Sequence, residues 1–241
     1  MRTGTGLLVA AGAAVFAAGA WAQLAPGFDA ALMADARPAE EKERDASRKP
    51  AEVLNFVGIG AGMTVVEGFA GGGWYTEVLS AAVGPEGTVY AQNPEWVRER
   101  VEAAAAARAE RLGNVQLVYT EGSAIDLPEQ VDAGFTALNL HDYANRSEEA
   151  ALEFLGGLYD ALRPGGVLGI VDHVGIAGQD NGELHRIETS RARDLIARAG
   201  FAIEAESDIL MNPDDDHTLG IRDPAIRSAT DRMLIRARKP E

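Results

Sequence analysis

The chain has 241 residues, 46% of them apolar and 24% charged, a composition that suits one globular domain with a substantial core. Its formal net charge is −15, a field that repels phosphate backbones and anionic lipid and so argues against a nucleic-acid substrate. There is no cysteine, which excludes a disulfide framework and lipid attachment at a thiol.

The N-terminus differs from the rest. Arg2 supplies a short positive start, residues 6–20 carry no charge, and Ala20-Trp21-Ala22 places small residues where a signal peptidase reads them. An apolar run of roughly fifteen residues falls short of the ~20 that a spanning helix needs. The expectation is a cleavable signal peptide over residues 1–22, with cleavage after Ala22. The mature protein is then periplasmic or secreted, with no stable membrane insertion. An N-terminal helical segment over residues 23–62 follows. Within it the pattern predicts a short helix and linker to residue 37, then a charged helix opened by Pro38 and reaching Arg48. Pro50 restarts a helix to Val57, with Val53, Leu54 and Val57 on one face.

From Met63 to residue 241 strands and helices alternate. Strands are predicted over 64–68, 88–91, 115–119, 131–140, 167–174, 201–210 and 231–238. Helices are predicted over 74–83, from Asn93-Pro94 to about Leu112, over 147–162, and over 187–199. Repeated strand–helix units imply a mostly parallel sheet covered on both faces, and the missing helix between the last two strands permits an antiparallel strand at one edge. The fold class expected is α/β.

The most informative segment is Glu67-Gly68-Phe69-Ala70-Gly71-Gly72-Gly73-Trp74, which leaves the first strand and opens the first helix of this region. Ligands of open α/β sheets bind at such strand ends. The spacing fails the dinucleotide pattern G-x-G-x-x-G, because Thr76 stands sixth from Gly71 and Ala70 third from Gly68. An acid at the strand end followed by glycines resembles motif I of class I S-adenosylmethionine-dependent methyltransferases. Further segments extend the resemblance: Asn93 after the second strand, Ser123 and Ala124 in the loop after the third, Asn139-Leu140-His141-Asp142-Tyr143 after the fourth, and Leu162-Arg163-Pro164-Gly165-Gly166 before the fifth. Over about residues 38–240 the chain looks like the exported methyltransferases of Gram-negative bacteria.

The resemblance implies a Rossmann-like seven-stranded sandwich, S-adenosyl-L-methionine as cofactor, and a small-molecule methyl acceptor. It assigns cofactor contacts to Glu67, Gly71, Gly72, Gly73, Asn93, Ser123, Ala124 and Asn139. Three positions depart from the family: Phe69 replaces a glycine, Asn93 the ribose-binding acid, and Ser123 the adenine-side acid. They leave open an alternative, a non-catalytic cofactor-binding or scaffold protein. Asn93 has a competing role as helix N-cap.

Methyl transfer to a hydroxyl or carbon acid requires oriented reactants and removal of a proton. His141 and Asp142 follow the fourth strand and His173 ends the fifth, so these three are the catalytic candidates, with Asp142 holding one imidazole in its tautomer. His185-Arg186 and His217 are secondary. Arg44 and Arg48 share a helical face (i, i+4), and one of them is a candidate partner for the cofactor carboxylate. Asp214-Asp215-Asp216-His217 lacks the alternating spacing of a calcium loop, and no metal site is expected.

Overall fold

The computed structural model describes residues 22–241, so the expected signal peptide over residues 1–22 lies, but for Ala22, outside the described residues. No helix among the described residues is long and apolar enough to cross a membrane.

Four short helices come first: α1 (Phe28–Met33), α2 (Ala39–Lys42), α3 (Asp45–Arg48) and α4 (Pro50–Val57). The charged helix expected from Pro38 to Arg48 is therefore two single turns broken at Glu43-Arg44. Pro38 caps the first turn from outside, and the break lets Arg37 close a two-pronged ion pair on Asp45 at 2.5 and 2.8 Å. Helix α4 ends at Gly58 in the left-handed region, φ 86°, where a side chain would be strained.

The sheet has seven strands in the order β3-β2-β1-β4-β5-β7-β6. Strands β1 (Thr64–Gly68), β2 (Thr88–Pro94), β3 (Val115–Thr120), β4 (Val131–Ala137) and β5 (Leu162–His173) are parallel. Strand β7 (Arg232–Arg238) runs antiparallel between β5 and the edge strand β6 (Ala202–Ser207). The mixed α/β class expected from the alternation of elements is what the molecule has, with the antiparallel pairing confined to the β7 side. The order reverses between β1 and β4, which makes the carboxyl ends of these two strands the switch point.

Alternation along each buried strand feeds two cores. Val65 of β1 and Val167 and Val171 of β5 meet α4 and α5 (Trp74–Val83) on one face. Val66, Leu168 and Ile170 meet α8 (Glu148–Ala161) and α9 (Thr189–Arg198) on the other. Gly169 of β5 has no room for a side chain, since a Cβ would lie 2.7 Å from Val57 of α4. Helix α6 (Arg98–Leu112) contributes no buried residue and lies against β3.

Three local expectations are corrected. Asn93 lies inside β2 and caps nothing; a single 3-10 turn over Glu95–Val97, preceded by Pro94, leads into α6. The fourth strand stops at Ala137, and the residues expected to end it begin α7 (Leu140–Arg146), whose Leu140 and Ala144 are buried one turn apart. His185 and Arg186 precede α9 in a turn, with His185 in the left-handed region at φ 53°.

Candidate active site

The switch point is built around the turn between β1 and α5. Its backbone amides are held by the end of the neighbouring strand β2. Phe69 donates its N–H to Gln92 Oε1 at 3.0 Å, Ala70 donates to the Gln92 carbonyl at 2.8 Å, and Gly71 donates to Asn93 Oδ1 at 2.8 Å. Asn139 reaches across from the end of β4 and donates to the Phe69 carbonyl at 3.1 Å. The turn is thereby fixed with Phe69 at φ 56°, unusual for a residue with a side chain, and Gly71 and Gly73 at φ 56° and 80°.

Asn93, assigned by resemblance to the ribose, thus directs its side-chain oxygen at Gly71 and is itself buried. Its chemistry explains the choice: a neutral amide oxygen accepts one backbone N–H without bringing a buried charge. Phe69, the other departure, packs its ring edge-on to Trp96 at 5.7 Å and to Tyr143 at 6.3 Å.

Two cavities flank this aromatic group. One, of about 220 Å³, is lined by Glu67, Gly71–Gly73, Tyr75 and Asn139, with Arg44 and Arg48 of the N-terminal segment over it. A Cβ placed on Gly71 or Gly72 would meet nothing within 4 Å. The second, of about 450 Å³, is lined by Gln92, Trp96, Ser123, Ile125 and Tyr143. Ala124 is exposed beside Ser123 and lines neither cavity. Trp96, 70% exposed, carries an aromatic face to the second cavity that the sequence reading missed; a large apolar residue just after a strand end was the available signal.

The N-terminal segment is latched over the first cavity. Arg108 of α6 binds both carboxylate oxygens of Glu41, at 3.1 and 2.5 Å, and also Glu77 at 2.5 Å. The Trp74 indole donates to the Glu41 carbonyl at 2.9 Å, and Arg48 lies 4.5 Å from the Trp74 ring. Glu67, on the floor, is buried and accepts from Thr76 at 2.5 Å. Burial pushes its carboxyl up to about 8, against the Thr76 hydrogen bond and the Arg108 charge. The Tyr75 hydroxyl is buried and unpartnered among the described residues.

The catalytic candidates come together, in roles unlike those expected. Asp172, fully buried, accepts from the His141 ring Nδ1 at 2.6 Å, the His141 amide at 2.8 Å and the His173 amide at 2.7 Å. Asp172, not Asp142, therefore orients His141. Asp142 lies on the far side, 3.3 Å from His141 Nε2 and 2.9 Å from His185 Nδ1. Burial would depress His141, but the Asp172 charge and the hydrogen bonds that the ring donates to both aspartates raise it to about 10. A ring so held favours its charged form, unlike the free base of ordinary pKa that the sequence suggested. Donor atoms of His141, Asp142 and His185 lie within 4.8 Å of one another, a spacing compatible with metal ligation, although here they bond to each other.

His173 is the complement. Burial, outweighing Asp172 and aided by the positive neighbours His141, Arg232 and Arg186, lowers it to about 3, so the ring is neutral. Its Nδ1 bonds to Thr230 Oγ1 at 2.8 Å, and it lines a third cavity, of about 150 Å³, that shares Arg44, Arg48 and Leu138 with the first. The remaining candidates are structural. Arg186 is fully buried and donates to the Leu219 and Val174 carbonyls and to Asp215, while His217 pairs with Asp231 at 2.9 Å.

With this geometry described, its likenesses can be stated. A SAM-dependent methyltransferase from Aquifex aeolicus superposes with a TM-score of 0.59 at 25% identity, over 84% of this chain and 98% of that one. The fold is the class I methyltransferase fold. Aeropyrum pernix fibrillarin, solved with natively bound S-adenosyl-L-methionine, matches with a TM-score of 0.51 at 17% identity, over 80% of this chain and 76% of that one. A possible exported protein from Bordetella parapertussis matches at 0.55 and 15% identity, over 83% and 68%. No protein-family model matches the sequence, and no curated protein matches it.

Glu67 gives this site a measurable pH signature. Its folded-state pKa stands above the ordinary glutamate value, so it contributes stability at low pH that is lost as pH rises through about 8. In urea denaturation of the ligand-free protein, Glu67→Gln should lessen the loss of stability between about pH 5 and pH 8. An unchanged pH dependence in the variant would show that Glu67 is already ionised in the folded protein.

Proposed function

We propose that the chain is an exported S-adenosylmethionine-dependent methyltransferase acting on a small-molecule acceptor. The observation that carries this reading is the glycine turn at the switch point, where positions 71 and 72 face open space at the mouth of a cavity. The residues fit the cofactor. Glu67, Gly71–Gly73 and Tyr75 would hold its methionine end, with Arg48 or Arg44 available to the carboxylate and the orphaned Tyr75 hydroxyl to a polar atom. The larger cavity between Trp96 and Ser123 suits the adenosine, with aromatic surface on one side and polar groups on the other. When bound, the cofactor supplies an electrophilic methyl group on a sulfonium.

The chain's own residues then orient the acceptor and manage its proton. His173, neutral and with no partner on its second ring nitrogen among the described residues, takes the proton of a hydroxyl or amine acceptor. Its low basicity restricts that role to an acceptor whose proton is strongly acidic. His141, cationic and bonded at both ring nitrogens, fixes the ends of β4 and β5 against each other.

A second reading, cofactor binding without turnover, is favoured by one observation. Asn93 spends its oxygen on Gly71, leaving no carboxylate from that position for the ribose hydroxyls. Turnover on a panel of acidic phenols and hydroxy acids separates the two readings.

Calorimetry should show binding of S-adenosylmethionine and S-adenosylhomocysteine and none of NAD. Gly71→Val should abolish it, because φ 56° and close approach of the ligand both exclude a branched side chain; normal affinity in that variant would put the site elsewhere. His173→Ala should lower kcat by ~10²–10⁴ while cofactor affinity stays unchanged, and full activity would mean that orientation alone suffices. For export, the charge-free run ending Ala20-Trp21-Ala22 predicts a mature N-terminus at Gln23 in the envelope fraction. An intact Met1 terminus, or protein confined to the cytosol, would overturn that assignment.

A further inference from the structure

The third cavity is anomalous for so acidic a protein. Its wall contains Arg44, Arg48, Arg232 and His173 together with the hydroxyls of Ser47, Ser228 and Thr230, and no acidic residue lines it. Arg232 of β7 stands opposite His173 of β5 in the antiparallel register, which puts both side chains on the same face of the sheet. Arg232 is 7% exposed. One guanidinium nitrogen donates to the Ser47 carbonyl at 2.6 Å, while its Nε is buried with no acceptor. Asp231, the adjacent acid, is engaged elsewhere, by His217 and by the Asn212 amide. The Arg48 side chain makes no hydrogen bond or ion pair among the described residues and rests on the rings of Trp74 and Tyr75. Burial lowers the pKa of both arginines; Asp231 offsets part of that cost for Arg232 and Asp45 for Arg48 through space, but neither guanidinium forms a direct salt bridge among the described residues.

A buried cation with no carboxylate in direct contact is expensive, and a ligand anion would offset that cost. The methionine carboxylate of a bound cofactor accounts for the side of the cluster that faces Glu67 and Tyr75. Arg232 acts on Tyr75 through space but lines the adjoining third cavity with His173 and Thr230, not the one lined by Glu67 and Tyr75.

We propose that this cavity binds an oxyanion of the methyl acceptor, a carboxylate or phosphate gripped by Arg232 with Ser228, Thr230 and Arg48, so that the substrates are small organic acids. The assignment rests on the methyltransferase reading for the word acceptor, but the anion site stands on its own geometry. The cluster is a local positive sink in an otherwise negative field, which selects anions that the rest of the surface repels. A guanidinium fork distinguishes an oxyanion from a neutral isostere through paired charge-assisted hydrogen bonds.

The test uses full-length mature protein saturated with S-adenosylhomocysteine and titrated calorimetrically with benzoate, acetate and inorganic phosphate, and with benzamide and acetamide as neutral twins. At least one anion should bind about tenfold or more tightly than its neutral twin or, for phosphate, than to the variant. Arg232→Met should erase that preference, leave S-adenosylhomocysteine affinity within about twofold, and hold or raise the thermal midpoint, since an unpaired buried cation is gone. The wild-type comparison of anion with amide does not depend on the variant folding. Equal binding of anions and amides, or no difference between wild type and Arg232→Met, overturns the proposal. So does a large loss of S-adenosylhomocysteine affinity in Arg232→Met, which would assign Arg232 to the cofactor. If wild type fails to bind S-adenosylhomocysteine yet keeps the anion preference, the methyltransferase reading falls and the anion site survives.

Discussion

Three consecutive amides at the end of β1 must find acceptors, and the end of β2 supplies them. Phe69, Ala70 and Gly71 donate in turn to the Gln92 side chain, the Gln92 carbonyl and the Asn93 side chain. Gln92 is in turn fixed by its amide, which donates to Thr120 of β3 at 2.7 Å. A turn that leaves a strand in the left-handed region is not stable by itself, and each unpaired buried amide would cost about 1–3 kcal/mol. The strand ends β3, β2, β1 and β4 are thus joined into one rim by side-chain amides. The cavities on either side of Phe69 inherit their shape from that rim. Asn93, read by resemblance as standing where the family has an acid, here serves the turn.

Electrostatics divides the molecule sharply. Exposed acids give it its net charge, while the buried polar groups at the carboxyl edge of the sheet are arranged in opposed pairs. His141 and His173 have ring centroids only 5.6 Å apart, yet one is held cationic and the other neutral. The difference comes from geometry. Asp172 presents a carboxylate oxygen to the ring of His141 but only to the backbone of His173, whose ring sees a hydroxyl and positive neighbours. Two residues of one type thereby acquire opposite preferences, one ring favouring its charged form and the other resisting protonation.

The N-terminal segment belongs to the same edge. Glu41 and Arg37 hold α2 and α3 in place through Arg108 and Asp45, and those helices carry Arg44, Ser47 and Arg48 to the cavities. Arg48 rests on Trp74 and Tyr75, the first residues of the helix that the glycine turn opens. The covering of the site and the turn beneath it are therefore mechanically one unit, with Trp74 bonded to Glu41 from below. A segment that lacked these partners would be too short to hold helical turns of four residues.

By itself the sequence determined the alternation of elements, the sheet class and the place of the glycine turn, because burial on both faces of parallel strands and the backbone demands of Gly71–Gly73 are local and periodic properties. It also gave His141, Asp142 and His173 as neighbours of one edge, since strand ends in this topology share a side. Helix α7 was illegible because a seven-residue helix with three buried positions, one of them His141, carries no period to read. What only the tertiary structure decided is which partner each polar group meets. Asn93 turns to Gly71, Asp172 takes the ring that Asp142 was expected to orient, and Arg232, 185 positions from the Ser47 carbonyl it binds, joins the arginines of the N-terminal segment around one cavity. Charge and hydrogen bonding depend on distances between residues far apart in the chain, and no spacing along the sequence encodes them.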